Sequence, residues 1–195
     1  MVFLIRKKEC EVKVVDMEFQ NVIETRRSMR KYQEGKKIDK QIVDELIKAA
    51  LFAPTWKNSQ TGRYYAVISD DMLLRFRNEC LAEYNRNNTI NASAIIVTTF
   101  VKDISGFDAD GNPTNELGNG WGIYDLGLQN QNLLLKAKEM GLDTLVMGIR
   151  NEKVIRDMLN IPENEIIVAV IGVGYGAVEA KMPKRKAIEE VLRLY

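Results

Sequence analysis

Residues 51–67, LFAPTWKNSQTGRYYAV, join two segments of different periodicity through a short polar connector. The preceding residues 39–52 carry apolar side chains at helical spacing, and Asp39 is placed to cap the first turn. The following residues 63–69 are rich in β-branched and aromatic side chains, which favour a strand. The connector is either a turn whose amides satisfy nearby backbone groups or part of a binding site.

Helices and strands continue to alternate along the chain. The predicted elements are helices at 17–27, 121–140 and 151–159, a charged amphipathic helix between the first two strands, and strands at 94–100, 143–148 and 165–176. Gly141 is placed to end the long helix. Residues 103–120 cluster turn-forming residues in a loop long enough to predict a lid. No internal repeat or linker divides this pattern.

The composition is that of one globular domain. Hydrophobic residues make up 46% of the 195 residues, enough for a sizeable core. Lysine and arginine (28) nearly balance aspartate and glutamate (27), so we expect neither nucleic acid nor an anionic membrane as partner. Cys10 and Cys80 are too few for a disulfide framework, which favours a reducing, cytoplasmic compartment. No segment is long and apolar enough for a signal-peptide core or a membrane span.

The chain contains no histidine. Ser-His-Asp and Cys-His catalysis are therefore excluded, and the commonest ligand of transition metals is missing. We expect no metal site, and a hydrolase is disfavoured.

Two short basic segments have more than one interpretation. In RRSMRKY, residues 26–32, Arg26, Ser28 and Arg30 point to one side if the chain is extended there, and such a side would suit an anion. Arginines at a helix end also stabilise the helix dipole while remaining solvated. The segment PKRK, residues 183–186, is equally compatible with a solvated charged surface.

The order of these motifs resembles the FMN-dependent nitroreductase family over about residues 17–190. The motifs are RRSMR at 26–30, APTWKNSQ at 53–60, the central segment YDLGLQNQNLLLKAKEMGLDTLVMG and the late IGVGYG followed by PKRK. The resemblance implies an α+β fold, with a central, mainly antiparallel sheet flanked by helices. It also implies a homodimer that binds FMN at its interface and passes electrons from NADH or NADPH to a nitroaromatic, quinone or similar small acceptor.

The resemblance divides the chain into a single nitroreductase-like domain at 17–195 and an N-terminal extension at 1–16. Met17 stands where many relatives begin, so the extension is either outside the natural protein or an arm packed on the dimer surface. We favour the arm.

Family roles transfer to this chain position by position. The stretch matching Pro54, Thr55, Trp56 and Asn58 reaches from one subunit over the flavin of the other, which would explain a polar connector at an interface. Trp56 replaces a residue that is usually small and would narrow the acceptor pocket or stack on its contents. Residues 60–62 lack the proline and aromatic residue that commonly follow the glutamine.

The basic segments receive roles from the same resemblance. Arg26 and Ser28, with Arg27 beside them, would bind the FMN phosphate and ribityl chain, and Lys184 and Lys186 would contact the phosphate from the tail. Arg30 would lie beside the N1 and O2 edge of the flavin ring and favour its reduced, anionic state.

Further positions have two interpretations each. Asn85 matches an asparagine that binds the pyrimidine edge of the flavin, or it is solvated in a polar run that ends at Asn88, where some relatives carry a lysine. Gly148 falls where a backbone amide addresses flavin N5, or it is a turn at the end of a strand. Trp121 and Tyr124 either line the acceptor pocket or belong to the core.

The sequence therefore predicts an FMN-dependent NAD(P)H oxidoreductase in which FMN carries the chemistry and no side chain acts as acid or base. A flavoprotein of the same fold with other chemistry, such as dehalogenation or enoate reduction, is one alternative. A non-catalytic FMN-binding protein is another.

Overall fold

The computed structural model describes residues 18–195. Its elements are α1 (Phe19–Thr25), α2 (Lys40–Leu51), β1 (Gly62–Val67), α3 (Asp70–Cys80), α4 (Glu83–Asn88), β2 (Ala94–Val101), α5 (Gly120–Glu139), β3 (Asp143–Met147), α6 (Glu152–Leu159), β4 (Glu165–Gly174) and α7 (Ile188–Val191). Within this part of the chain, no helix is both long and apolar enough to cross a membrane.

The four strands form one sheet in the order β1-β2-β4-β3, with every neighbouring pair antiparallel. Strand β2 is buried on both faces, because Ile95 and Val97 pack against α3 and α6 while Ala94 and Ile96 pack against α2 and α5. Burial of one such side chain contributes about 2 kcal/mol. The helices on both sides of this sheet confirm the predicted α+β architecture.

Local sequence signals set the helix ends. The Asp39 carboxylate accepts a hydrogen bond from the Ile42 amide at 3.0 Å, as a capping residue should. Gly141 follows α5 with φ +74, and the Leu142 amide donates to the Ala137 carbonyl at 2.8 Å. This pattern satisfies the last carbonyls of the helix and requires a left-handed residue, which glycine provides.

Two elements differ from the sequence prediction. The first helix ends at Thr25 instead of residue 27, because Arg26 is already extended. The charged stretch after β1 forms two helices, since Leu81 is extended and pairs with Arg150. The predicted extension at residues 1–16 lies outside the described residues.

Helix α5 approaches β2 closely at Gly122. A Cβ atom at this position would lie 2.3 Å from two ring carbons of Phe100, whose side chain is 1% exposed. The absence of a side chain at residue 122 therefore sets the distance between the start of α5 and the sheet.

Candidate functional site

A basic cavity lies beside β3, at one edge of the sheet. Residues 26–31 leave α1 in an extended conformation, and Ser28 pairs with Thr144 while the Met29 amide donates to the Thr144 carbonyl at 2.9 Å. The cavity holds about 470 Å³ and is lined by Arg26, Arg27, Ser28, Met29, Arg30, Lys31, Val178, Ala180, Lys181, Pro183 and Arg185. The cavity thus brings together the four predicted site residues of RRSMR, namely Arg26, Arg27, Ser28 and Arg30.

The cavity carries a concentrated positive charge. Of the described residues that line it, six are lysine or arginine and none is acidic. None of these six cations forms an ion pair with any residue between 18 and 195. The pKa of Arg26 is lowered, first by burial and then by the neighbouring charges of Arg27 and Arg185. Like charges crowded in this way repel, so the cavity is suited to an anion.

The tail contributes different residues from those predicted. Lys181, Pro183 and Arg185 line the cavity, whereas Lys184 and Lys186 do not. Alternate residues of an extended chain point to opposite sides, which explains why the odd-numbered ones face inward. A phosphate contact from Lys184 or Lys186 remains a prediction, whereas Arg185 lies in the lining of the cavity itself.

The loop after β3 carries Gly148 and is fixed by hydrogen bonds from Asn85 and Arg150. Asn85 is only 6% exposed, and its Nδ2 donates to the Ile149 carbonyl at 2.8 Å. Arg150 donates to the Gly148 carbonyl at 3.1 Å and to the Ile167 carbonyl. The structure thus excludes a solvated Asn85 and places it under the loop, while direct contacts of Asn85 and Gly148 with a flavin remain predictions.

Tyr84 of α4 lies close enough to Arg30 to feel its charge, and the sequence analysis missed this residue. Tyr84 is 65% exposed, and its pKa is lowered by hydrogen bonding to Asn88 and then by the neighbouring Arg30. The signal was available, because Tyr84 lies one helical turn before Asn88. The positive charge of Arg30 therefore favours the ionised form of the Tyr84 hydroxyl.

The connector has an unusual backbone. Lys57, Asn58 and Gln60 have φ values of +46, +55 and +49, in a region that residues other than glycine rarely adopt. Local bonds hold this shape, including one from the Gln60 amide to the Thr55 hydroxyl at 3.1 Å. Left-handed residues of this kind each cost about 1–3 kcal/mol and are concentrated at functional sites.

A buried carboxylate ties the connector to the rest of the molecule. Asp125 of α5 is 4% exposed, and its Oδ2 accepts from the Trp56 amide at 2.9 Å and from the Ser105 hydroxyl at 2.7 Å. The Ser59 hydroxyl lies 2.7 Å from that of Ser105. Sequence analysis missed Asp125, although an acidic residue between apolar positions of a helix is an unusual signal.

The three predicted pocket aromatics lie together. The ring centroids of Trp56 and Trp121 are 4.7 Å apart, and those of Trp121 and Tyr124 are 5.7 Å apart. The Trp121 indole donates to Asn115 of the 102–119 loop at 2.9 Å. Tyr124 is 60% exposed, which excludes a core role for it. Their function as a substrate pocket remains a prediction.

Comparison with known proteins gives the family. The model of the nitroreductase family matches residues 23–175. The chain belongs to the nitroreductase family. A relative from Archaeoglobus fulgidus, provisionally named NADH dehydrogenase/NAD(P)H nitroreductase, is 30% identical over 158 residues, which cover 79% of this chain and 83% of the relative. A protein of the same name from Methanothermobacter thermautotrophicus is 28% identical and is covered to 81%.

Solved structures agree on the nitroreductase fold. An enone reductase of gut-bacterial fatty acid metabolism superposes with a TM-score of 0.81 at 18% identity, over 92% of this chain and 99% of the reductase. A nitroreductase from Exiguobacterium sibiricum, crystallised with FMN, superposes with a TM-score of 0.76 at 19% identity, over 92% of this chain and 98% of that one.

Family membership confirms the expected cofactor, FMN, and the expected class of enzyme, an FMN-dependent NAD(P)H oxidoreductase. The residues of this nitroreductase fit that cofactor. The described lining of the cationic cavity contains no carboxylate and matches the charge of a phosphate dianion. Arg26, Arg27 and Arg30, called the Arg cluster below, lie beside the edge strand β3, because Ser28 between them pairs with Thr144. Gly148 directly follows the same strand.

Proposed function

We propose that this nitroreductase transfers electrons from NADH or NADPH to a nitroaromatic, a quinone or a similar small acceptor. The observation that carries the proposal is the cavity beside β3, where six cations with no carboxylate partner between residues 18 and 195 surround a space suited to the FMN phosphate. The cluster of Trp56, Trp121 and Tyr124 supports the acceptor class, because planar rings stack on aromatic side chains.

We further propose a homodimer in which each flavin contacts both chains. Within one chain the connector and the Arg cluster lie at opposite edges of the sheet, because Gly62 pairs with Phe100 while Ser28 pairs with Thr144. Across the sheet, Thr144 is level with Ala94 and Gly62 is level with Phe100, so the two groups are offset along the strands by the distance from Ala94 to Phe100. Together with the three strand spacings between the edges, this offset separates the two groups by about 25 Å. One flavin cannot easily contact both groups of the same chain, so the connector of a second copy supplies the missing side.

An apolar cleft supports the same assembly. A cleft of about 270 Å³ between α1, α2 and α5 is lined by Phe19, Phe52 and Leu135 among others. Phe52 is 87% exposed and Phe19 is 69% exposed in the single chain. Exposed aromatic clusters of this kind mark protein interfaces.

In the proposed mechanism, bound FMN supplies the two-electron chemistry, and the chain supplies position and electrostatics. Arg26, Arg27 and Ser28 hold the phosphate end. Arg30 places a fixed positive charge where it favours the reduced state. The aromatic cluster binds nicotinamide and acceptor in turn, and protons come from solvent, as expected for a chain without histidine.

Stopped-flow spectroscopy of the FMN-loaded full chain tests this proposal. Anaerobic mixing with NADH or NADPH should bleach the flavin, and addition of 1,4-naphthoquinone should restore its colour. Size-exclusion chromatography with light scattering should give a dimer with one FMN per chain. A dimer whose flavin is not bleached by either nucleotide would instead support the non-catalytic alternative, and a monomer would contradict the shared site.

The domain boundary is also a proposal. We infer that residues 17–195 form a single FMN-binding domain, because the described residues that line the basic cavity all lie after residue 25. A chain that starts at Met17 should retain FMN and NADPH oxidation, with at most a modest loss of thermal stability. Loss of FMN on truncation would place residues 1–16 in the site.

A further inference from the structure

The contacts of Asp125 join the two chain segments that form the aromatic cluster. Trp56 belongs to the connector, and Ser105 belongs to the loop that follows β2. Both donate to one oxygen of the Asp125 carboxylate, at 2.9 and 2.7 Å. The Ser59 and Ser105 hydroxyls add a direct bond between connector and loop at 2.7 Å.

The indole of Trp56 is not held by a hydrogen bond of its own. Its Nε1 is buried without a partner among the residues that the structure describes. Its backbone amide, bonded to Asp125, is therefore the polar contact that fixes Trp56 relative to α5. The left-handed residues that follow, Lys57 and Asn58, make this geometry costly unless such contacts maintain it.

The 102–119 loop also contacts α5 through Trp121. Gly106 follows Ser105, and a Cβ atom on it would lie 2.6 Å from Cδ1 of Trp121. The Trp121 indole bonds to Asn115 of the same loop at 2.9 Å. A shift of Ser105 would therefore be transmitted to Trp121 as well as to Asp125.

We propose that Asp125 is a positioning residue that fixes the connector and the 102–119 loop to each other and so sets the arrangement of Trp56 against Trp121. This inference rests on the proposed function, because that aromatic pair is the surface on which the acceptor stacks. The loop then acts as part of a fixed pocket wall instead of a lid that moves independently of the connector.

Trp56 and Trp121 are the only two tryptophans of the chain, so tryptophan spectra report directly on the proposed arrangement. In the FMN-loaded full chain, Asp125→Ala should change the near-UV circular dichroism of the tryptophan pair. Asp125→Asn should resemble the wild type, because both hydrogen bonds use one oxygen and an amide keeps one acceptor oxygen.

Ser105→Ala is the variant that tests the coupling, and it serves if Asp125→Ala fails to fold. It leaves the Trp56–Asp125 bond intact, yet it should alter the tryptophan spectrum by releasing the loop. Ser93→Ala is the matched control, because Ser93 is also a buried serine, 1% exposed, but donates to the Lys36 carbonyl away from the cluster. Ser93→Ala should leave the tryptophan spectrum unchanged.

Kinetics provide the second measurement. With 1,4-naphthoquinone, which stacks, and ferricyanide, which does not, the ratio of the two kcat/KM values should fall about tenfold in Asp125→Ala, the effect of one or two lost hydrogen bonds. The fall in this ratio should come from a higher KM for the quinone. Asp125→Asn should restore the KM of the wild type. A wild type that reduces neither acceptor would contradict the proposed function, whereas an active wild type with unchanged spectra and ratio in Asp125→Ala and Ser105→Ala would overturn this inference alone.

Discussion

Substitution of Gly122 by alanine tests the close approach of α5 to β2. The new Cβ would lie 2.3 Å from two carbons of the Phe100 ring, more than 1 Å inside ordinary contact distance. Phe100 is 1% exposed, so its ring cannot move into solvent. Overpacking of this kind costs up to about 3 kcal/mol, and alanine recovers about 1 kcal/mol of helix propensity. We expect a net loss of about 2 kcal/mol in the free energy of unfolding.

A double-mutant cycle identifies the cause of that loss. Phe100→Ala removes Cγ, Cδ2 and Cε2, the ring carbons that would clash, and should cost about 3–5 kcal/mol by itself. In that background Gly122→Ala should be neutral or stabilising, which corresponds to a coupling of about 2 kcal/mol. Urea unfolding of the FMN-saturated protein, at one fixed protein concentration, measures all four variants. Equal costs of Gly122→Ala in the two backgrounds would refute the steric explanation.

Three further predictions concern the cofactor site and pH. Arg185→Ala should weaken FMN binding about tenfold, whereas Lys184→Ala, at the neighbouring position, should have little effect. Fluorescence titration with FMN at two salt concentrations measures both variants. Similar losses of affinity in the two would mean that the tail acts only through its overall charge. Arg30→Ala should retain the fold but lower the flavin reduction potential in a dye-coupled titration, and an unchanged potential would show that Arg30 does not act on the flavin. Burial raises the pKa of Cys80 to about 11, so the unfolded chain loses the thiol proton at lower pH than the folded chain does. The free energy of unfolding should therefore fall as pH rises from about 9 to about 11. Urea unfolding of Cys80→Ala should show a shallower decline, and an identical decline would assign the pH dependence to other groups.

Sequence predicted best those features that depend on neighbouring residues. The cap at Asp39 and the helix end at Gly141 each depend on a few residues of the chain, and the structure places both where the pattern did. The resemblance to nitroreductases, carried by the order of four motifs, predicted the fold and the cofactor. The grouping of Trp56 with Trp121 and Tyr124 could not follow from helical spacing alone.

Contacts between distant segments were beyond the sequence analysis. Asp125 lies 69 residues from Trp56 in the chain, and no local pattern indicates that a carboxylate in α5 will accept a connector amide. The direction of each side chain in the tail depends on where residues 176–185 meet residues 26–32. The basic motif predicted that the tail takes part in the site, which stays a prediction, whereas only the fold shows that Arg185 of the motif and Lys181 before it line the cavity.

The basic cavity has a consequence for the fate of newly made chains. Its walls come from two ends of the sequence, the segment after α1 and the tail after β4, which meet where the Ala177 amide donates to the Lys31 carbonyl at 2.9 Å. Before the cofactor arrives, six like charges push these two ends apart, and the exposed tail from Lys181 onward is rich in sites for trypsin-like proteases. A bound phosphate turns this repulsion into attraction. We therefore expect trypsin to cut the tail faster in the FMN-free protein than in the FMN-loaded protein.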